Sequence, residues 1–210
     1  MRTKYHIEIT QNVLQEYFSQ ENLEKIVRSN IQQDRVKNQI GHDYIHFDGS
    51  AFSEGFSYIK EQKAKLLKSV EDSDYQTARA ALGRILHSWQ DFYSHSNYVQ
   101  LWYQKEGHID VEEIDHKDLD IFNSPELKSG KNYGLIELFA LLPGLSRLIK
   151  PFMPEDSHAK MNLDSPKSGP FFNYAYTAAK RRTKHVLDAL LEEMQYKNTK
   201  IELIKAFLGK

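Results

Sequence analysis

The sequence predicts an all-α fold, a multi-helix bundle around one long central helix. Apolar residues recur at helical spacing in successive segments, and nowhere do they alternate as in a half-buried strand. No internal repeat or low-complexity linker divides the 210 residues, of which 40% are hydrophobic and 27% charged, so residues 1–210 are expected to form a single domain. Common helix lengths then give about five to seven helices.

The apolar patterns locate these helices along the chain. The central one is expected to begin at Ser73 or Asp74, whose side chains can cap it, and to run to about Tyr103. Residues 32–53 and 107–132 are polar with little periodicity, so we expect loops there, the second with one short helix. The outer helices are predicted at 5–18, 21–31, 53–70, 171–194 and 199–208.

The most apolar stretch, LIELFALLPGLSRLIKPFM at 135–153, is interrupted by Pro143 and Gly144. A proline-broken core hairpin explains this pattern better than a lid with peripheral membrane contact. No run of about 18 uncharged apolar residues occurs, so no transmembrane segment is predicted. The first residues, MRTKYHIEIT, lack the apolar stretch of a signal peptide, so the chain is expected to stay in the cell or to be an exported mature form.

Net charge and cysteine content restrict which kinds of function and metal site are possible. A formal net charge of −1 differs from the basic balance of a dedicated nucleic-acid binder, although metals in a neutral cleft could still bind a phosphodiester. The absence of cysteine excludes disulfides and thiolate ligands, so any metal must be bound by nitrogen and oxygen.

Residues 82–97, LGRILHSWQDFYSHSN, carry the strongest candidate site. His87, Asp91 and His95 follow at intervals of four, so on a helix they drift by only about 80° and share one face. His87 and His95 are then about 12 Å apart along the axis, too far for one ion whose bonds to imidazole are about 2 Å long. Two ions could bind them, with Asp91 reaching one or both, and zinc suits these ligands better than iron or manganese. The alternative is a buried helix whose polar groups bond each other.

The loop at 32–53 is dense in further candidate ligands, as loops on a rigid scaffold often are. Asp48 is expected to orient His46 as a hydrogen-bond acceptor, or to cap the next helix, rather than to bind metal. His42 and Asp43 are expected to form turns.

Other polar residues are expected at the solvated surface. His108, His116 and His185 lie among charged neighbours. The basic cluster at 180–184, in AAKRRTK, could meet anionic lipid or nucleic acid, but it is short and a solvated helix face explains it.

Three segments together carry a resemblance to a known family. HFD at 46–48, LHSWQDFYSHSN at 86–97 and SHAKMNLDSP at 157–166 resemble the Het-C-type family, named for heterokaryon-incompatibility protein C. That family is related to bacterial zinc-dependent phospholipases C and to fungal zinc nucleases that cut single strands. The resemblance extends from His6 to the helix after Asp164.

The resemblance implies zinc ligands, and two ions are expected. His46, His87 and Asp91 match ligands of a first ion, with Asp34 as an additional one. The implied metal ligands in all are His6, Asp34, His46, His87, Asp91, His95, His158 and Asp164.

For the second ion the resemblance implies His95 and His158. The carboxylate that should follow the last histidine falls at Asn162, a poor ligand, so Asp164 is the nearest substitute.

A third ion is implied on His6, together with the N-terminal amine and the shared aspartate. The phospholipases begin with a tryptophan whose amine binds zinc, whereas this sequence begins with Met1, so the third ion is expected only if processing differs. Relative to the small phospholipases, residues 98–155 are expected to be an insert.

The function that the resemblance implies is zinc-dependent phosphodiester hydrolysis of the phospholipase C type, with Asp34 and Asp91 as catalytic residues. A water between two metals would act as hydroxide on phosphorus, and Asp34 would be a ligand or a base. Phospholipid is favoured over single-stranded nucleic acid as the substrate because of the apolar stretch and because of the resemblance itself.

Three alternatives stay open. A nuclease of the same superfamily is the close rival, and aromatic stacking positions in the cleft would favour it. A Het-C-like enzyme would act on a small metabolite without hydrolysis. A noncatalytic protein would use structural metals to hold helices together, which the replacement of a carboxylate by Asn162 favours.

Overall fold

Helices build the computed structural model, which describes residues 1–35, 38, 41–107, 110–131, 133 and 149–210. Within these residues no β-strand occurs, so the predicted all-α fold is confirmed. The α-helices are α1 (Thr3–Leu14), α2 (Gln20–Ile31), α3 (Asp43–His46), α4 (Phe52–Glu71), α5 (Tyr75–His95), α6 (Tyr98–Glu106), α7 (Leu119–Phe122), α8 (His158–Met161), α9 (Phe172–Tyr196) and α10 (Ile201–Leu208). Short 3₁₀ turns lie at Gln32–Asp34, Asp48–Ser50, Val111–Glu113, Lys150–Phe152 and Pro166–Ser168.

Helix α5 is the centre of the bundle. Helices α2, α4 and α9 pack directly against it, and α1 packs against α2 and α9. Every residue from Ile85 to His95 is buried, so this part of α5 has no face toward solvent. Its polar side chains must therefore find partners inside the protein, because an unsatisfied buried polar group costs about 1–3 kcal/mol.

The predicted helices correspond to observed ones. The five outer predictions match α1, α2, α4, α9 and α10, with ends that differ by four residues or fewer. Asp74, one of the two predicted caps, accepts a hydrogen bond from the backbone N–H of Thr77 at 3.1 Å and so begins α5.

The C-terminal end of α5 corrects the sequence-based expectation. The helix stops at His95 and not near Tyr103. Ser96 takes an extended backbone conformation, and its hydroxyl donates to the carbonyl of Phe92 at 2.6 Å. The next N–H, of Asn97, donates to a carbonyl in the later loop. Side-chain bonds of serine compete with the helical ladder in this way, and the chain turns before α6 starts.

A sharp turn after α3 positions two site residues. Residues 32–53 were expected to be loop and contain α3 between two 3₁₀ turns. Phe47 has a left-handed backbone (φ 58°), which reverses the chain between His46 and Asp48. This conformation costs about 1–2 kcal/mol in a non-glycine residue, and burial of the Phe47 ring against Phe92 offsets it.

Some expectations fall outside the described residues. His108 and most of the apolar stretch, 135–148, lie there, so the choice between hairpin and lid stays a prediction. The insert expected at 98–155 is largely described, but no finding tests it, and it too stays a prediction. Among the described residues, no helix is both long enough and apolar enough to cross a membrane.

Gly83 allows α2 and α5 to approach closely. A Cβ atom on Gly83 would lie 2.4 Å from the carbonyl oxygen of Ile26 and 2.9 Å from the backbone nitrogen of Asn30. We expect Gly83→Ala to lower the free energy of unfolding by about 1–3 kcal/mol, because α2 must move. Urea unfolding measures the change.

Gln76→Ala, at an exposed position of the same helix, is the control and should stay within about 0.5 kcal/mol of the wild type. Equal stability of the Gly83 variant and this control would contradict the close packing of α2 on α5.

Candidate metal centre

The predicted ligands come together around Asp91, near the C-terminal end of α5. Neighbouring groups in this cluster are separated by 2.6–3.6 Å, and Asp48 and the amino group of Met1 join it. The cluster thus contains all eight predicted residues, from α1, the turn after α2, α3, α5, α8 and the segment after α8: His6, Asp34, His46, His87, Asp91, His95, His158 and Asp164.

The Oδ2 oxygen of Asp91 faces His46 and His87. It lies 2.8 Å from Nδ1 of His46 and 2.9 Å from Nε2 of His87. These nitrogens are 3.1 Å apart, and Oδ1 of Asp34 lies 3.6 Å from the His87 nitrogen. Ligand atoms of a tetrahedral zinc ion, with bonds of about 2.0–2.1 Å, are about 3.3 Å apart. These four separations match that spacing, and we call this position the Oδ2 site. The set that has all its ligand atoms within 4.8 Å of one another contains His6 in place of His46, together with Asp34, His87 and Asp91.

The other carboxylate oxygen of Asp91, Oδ1, faces a positive charge. The amino nitrogen of Met1 lies 2.6 Å from it, 2.9 Å from Nε2 of His95 and 3.0 Å from Oδ1 of Asp164. Nε2 of His6 is 3.2 Å from the same Asp91 oxygen, so the groups implied for a third ion also meet here. The ammonium marks a position at which carboxylates and imidazoles stabilise a cation, and we call it the Oδ1 site.

Asp48 contacts different histidines from the one expected. Its Oδ1 lies 3.1 Å from Nδ1 of His95 and 2.9 Å from Nδ1 of His158, and not beside His46. Donation from Nδ1 of His95 to Asp48 leaves Nε2 of that ring directed into the Oδ1 site.

The Asn162 amide lies 2.5 Å from Nε2 of His158 and can donate to it, so Asn162 holds an imidazole where a metal-binding carboxylate was expected.

The charges of the two sites differ. Burial opposes ionisation of Asp91, but the Met1 ammonium and the surrounding histidines outweigh it and hold the pKa of Asp91 well below its usual range. Burial lowers the pKa of His87 to about 4, so this ring is neutral at pH 7. Burial and the ammonium also disfavour a charge on His95, but Asp91 and Asp48 outweigh them and raise its pKa to about 10. His87 can therefore bind a metal directly at neutral pH, whereas His95 must first release a proton.

Side-chain amides fix the orientation of His87. Asn30 donates through Nδ2 to Gln90 (3.0 Å) and Thr10 (3.2 Å), so its carbonyl oxygen is an acceptor. Nδ1 of His87 lies 3.3 Å from that oxygen and donates to it. Because a neutral imidazole carries one N–H, Nε2 of His87 is then a lone pair facing Asp91 Oδ2 at 2.9 Å. Two buried acceptors this close require either a shared N–H donor, a position that Nδ1 of His46 occupies, or a cation beside them.

Gln90 orients His6 in the same way. Its amide nitrogen donates to the hydroxyls of Thr10 and Thr183, both at 3.2 Å, so its Oε1 accepts from Nδ1 of His6 at 2.7 Å. Nε2 of His6 is left facing Asp91 Oδ1, buried and without a hydrogen-bond partner among the described residues. Metal-binding histidines commonly have their second nitrogen held by such an acceptor, so this donor set fits zinc.

Each site has one ligand near the solvent. The side chain of Asp91 is only 1% exposed, whereas those of Asp34 and Asp164 are 26% and 28% exposed. The Oδ2 site is therefore open at Asp34, and the Oδ1 site at Asp164.

A family model matches the part of the chain that contains most of this centre. The model described as "VWA7 N-terminal domain" matches residues 5–121, more than half of the chain. The chain belongs to the VWA7 N-terminal domain family. The match includes α1 to α5, with the three ligands of α5, and ends before His158 and Asp164.

Curated relatives of the family are much longer than this chain. Von Willebrand factor A domain-containing protein 7 of Rattus norvegicus is 34% identical over 79 residues, 38% of this chain and 9% of the relative. The Homo sapiens protein of that name is 32% identical over 83 residues, 40% of this chain and 9% of the relative. The chain thus spans about a tenth of the length of these relatives. No solved structure matches it.

The family match corrects the interpretation of the sequence motifs. The assignment to the Het-C-type family and to phospholipase C is wrong, because the matching family and its relatives are VWA7 proteins. Their names indicate neither a hydrolase nor a phospholipase C. Any catalytic function must therefore be argued from the site itself.

Removing the Gln90 amide should weaken zinc binding about 10–100-fold, because His6 loses the acceptor that holds its ring. Gln90→Met keeps a similar volume. Competition with a chromogenic zinc chelator measures the affinity, and circular dichroism verifies that the helices are retained.

Ser88→Ala is the matched control on the same helix, because the Ser88 hydroxyl is buried without a partner among the described residues. Its affinity should equal that of the wild type. Unchanged zinc binding in Gln90→Met would show that the amide does not orient His6.

The two sites should be separable by single substitutions. Asp34→Asn should weaken the Oδ2 site by about tenfold or more and spare the Oδ1 site, and Asp164→Asn should do the reverse. Calorimetric zinc titration of metal-free protein resolves the two binding steps. Asp72→Asn, at an exposed position, should alter neither step. Loss of the same step in both site variants would disprove the two-site arrangement.

Proposed function

We propose that this domain binds two zinc ions, one on each carboxylate oxygen of Asp91, and hydrolyses phosphodiesters. The observation that carries the first part is the lone pair of neutral His87 at 2.9 Å from the Asp91 carboxylate. A buried contact between two acceptors is unfavourable unless a donor or a cation lies beside both, and a zinc ion bound by nitrogen and oxygen ligands alone would meet this need.

The choice of zinc follows from the ligand chemistry. Imidazoles with few carboxylates suit zinc, whereas magnesium and calcium prefer all-oxygen sites. The Oδ2 site offers His46, His87 and the shared Asp91, and Asp34 at its solvent edge can complete a tetrahedral set or leave that position to water. At the Oδ1 site the Met1 ammonium lies beside Asp91, and His95 must first release a proton, so we expect the ion there to bind more weakly.

The exposed carboxylates support a catalytic role. When bound, zinc would lower the pKa of a water toward neutrality and offset the charge of a phosphate ester. Asp91 would hold both positions in one geometry. Asp34 is at the solvent edge of the Oδ2 site, so it can either complete the ligand set or accept a proton. A phosphodiester carries one negative charge on two nonbridging oxygens, and two adjacent cations could stabilise these oxygens.

A structural role for the metals is the second candidate. His6, His87 and Asp91 are almost fully buried, and they connect α1 with α5 through the interior. Protein ligands that fill every position of an ion give a structural site, whereas an open position gives a catalytic one.

Hydrolysis of bis(p-nitrophenyl) phosphate by zinc-loaded protein tests the proposal. We expect turnover that requires zinc and falls about 100-fold or more in Asp34→Asn, if Asp34 is the proton acceptor. p-Nitrophenylphosphorylcholine, run in parallel, tests whether a lipid headgroup is preferred over a generic diester.

Two results would overturn parts of the proposal. Two tightly bound zinc ions without turnover on either ester would establish the structural role instead. No zinc binding by metal-free protein would eliminate both roles.

A further inference from the structure

A groove on the other side of α5 contains an arginine that has no acidic partner among the described residues. Helices α4 and α9 both pack against α5 and scarcely touch each other, which leaves a cavity of about 200 Å³ between them. Its floor is apolar, formed by Ile85, Trp89 and Leu190. Trp89 is two residues from both His87 and Asp91, about 200° around the helix, so the cavity is separate from the metal centre.

Arg182 lies over this floor. Its guanidinium carbon is 3.6 Å from the centre of the Trp89 ring, so the planar group is held against the indole. Its Nε atom is buried without a hydrogen-bond partner, and no described carboxylate forms an ion pair with it. The described lining of the cavity contains one other lysine or arginine, Lys63. Its Nζ forms an ion pair with Oε2 of Glu193 at 2.5 Å. Arg182 therefore keeps an uncompensated positive charge.

The two histidines near Arg182 also provide no negative charge for its guanidinium. His185 lines the cavity, and its ring is 5.6 Å from that of His116, so neither histidine has the freely solvated position predicted from the sequence. Burial and then the charge of Arg182 lower the pKa of both rings, that of His116 to about 4. Nε2 of His116 is also buried without a described partner.

The basic cluster at 180–184 is divided between different partners. Arg181 donates to the carbonyl of Ile114 at 3.0 Å, and Lys184 pairs with Asp188. The prediction that this cluster forms a solvated helix face is therefore incomplete, because Arg182 lines the cavity.

We propose that this cavity binds a small carboxylic acid with an apolar body. The guanidinium of Arg182 supplies the fork of N–H donors that a carboxylate accepts, and the body of the ligand covers the floor at Ile85 and Leu190. One uncompensated charge suits a monoanion better than a phosphate monoester, which carries a charge of about −1.5 to −2. The cavity volume of about 200 Å³ is below the range of about 300–1,000 Å³ that is usual for drug-sized ligands, so the ligand is a small molecule and no peptide.

Calorimetric titration of the full chain with octanoate tests this site. Saturable one-to-one binding is expected, and octanol, which has the same chain without the charge, should bind at least about tenfold more weakly. Arg182→Gln should weaken octanoate by a similar factor. Lys180→Gln, an exposed position on the same helix with the same change of charge, should bind octanoate as the wild type does.

Arg182→Lys keeps the charge but loses the planar fork, so it should also bind octanoate more weakly, and it provides a second test if the glutamine variant misfolds. Equal binding of octanoate and octanol would show an apolar crevice without carboxylate recognition. Octanoate binding that survives in both Arg182 variants, or no saturable binding up to about 5 mM, would overturn the proposal.

Discussion

The buried carboxylate of Asp91 is the constraint on which the structure depends. A charge at this depth is costly unless oppositely charged or donating groups surround it. Here α1, α3 and α5 each bring an imidazole to it, and the Met1 ammonium meets its second oxygen. The segments that pack around α5 therefore also bring the groups that compensate the charge of Asp91.

Buried polar side chains that hold the histidine rings replace apolar residues in the core around α5. Asn30 on α2 and Gln90 on α5 are buried amides whose hydrogen bonds are satisfied by each other, by two threonines and by the rings of His6 and His87. Such a network tolerates little misplacement, because each lost bond leaves a buried polar group unpaired. The close approach of α2 at Gly83 places Asn30 within reach.

Local spacing made part of the site predictable. His87, Asp91 and His95 share one face because four-residue steps on a helix place them there, and this needs no tertiary information. Gln90 lies in the same segment, but its partner Asn30 is 60 residues away, so its orienting role depends on how α2 packs. The early end of α5 depends likewise on Ser96 and on a loop that follows much later in the chain.

The family was less predictable than the ligands. Metal coordination restricts which residues can occur and at what spacing, so short motifs around an ion resemble one another in families with different overall sequences. The three motifs at 46–48, 86–97 and 157–166 therefore indicated candidate ligands that the fold brings together, but they did not identify the family, which the match over residues 5–121 established. Similarly, composition alone gave no sign that Arg182 faces a cavity while its neighbours in AAKRRTK bind elsewhere.

The most direct test is the zinc content of Asp91→Asn, measured by elemental analysis after metal-free protein is loaded with zinc and passed through a desalting column. Because both sites share this carboxylate, the account predicts two equivalents in the wild type and loss of both in the variant, with the helical circular dichroism largely kept. Two equivalents retained in Asp91→Asn would contradict the shared role of Asp91.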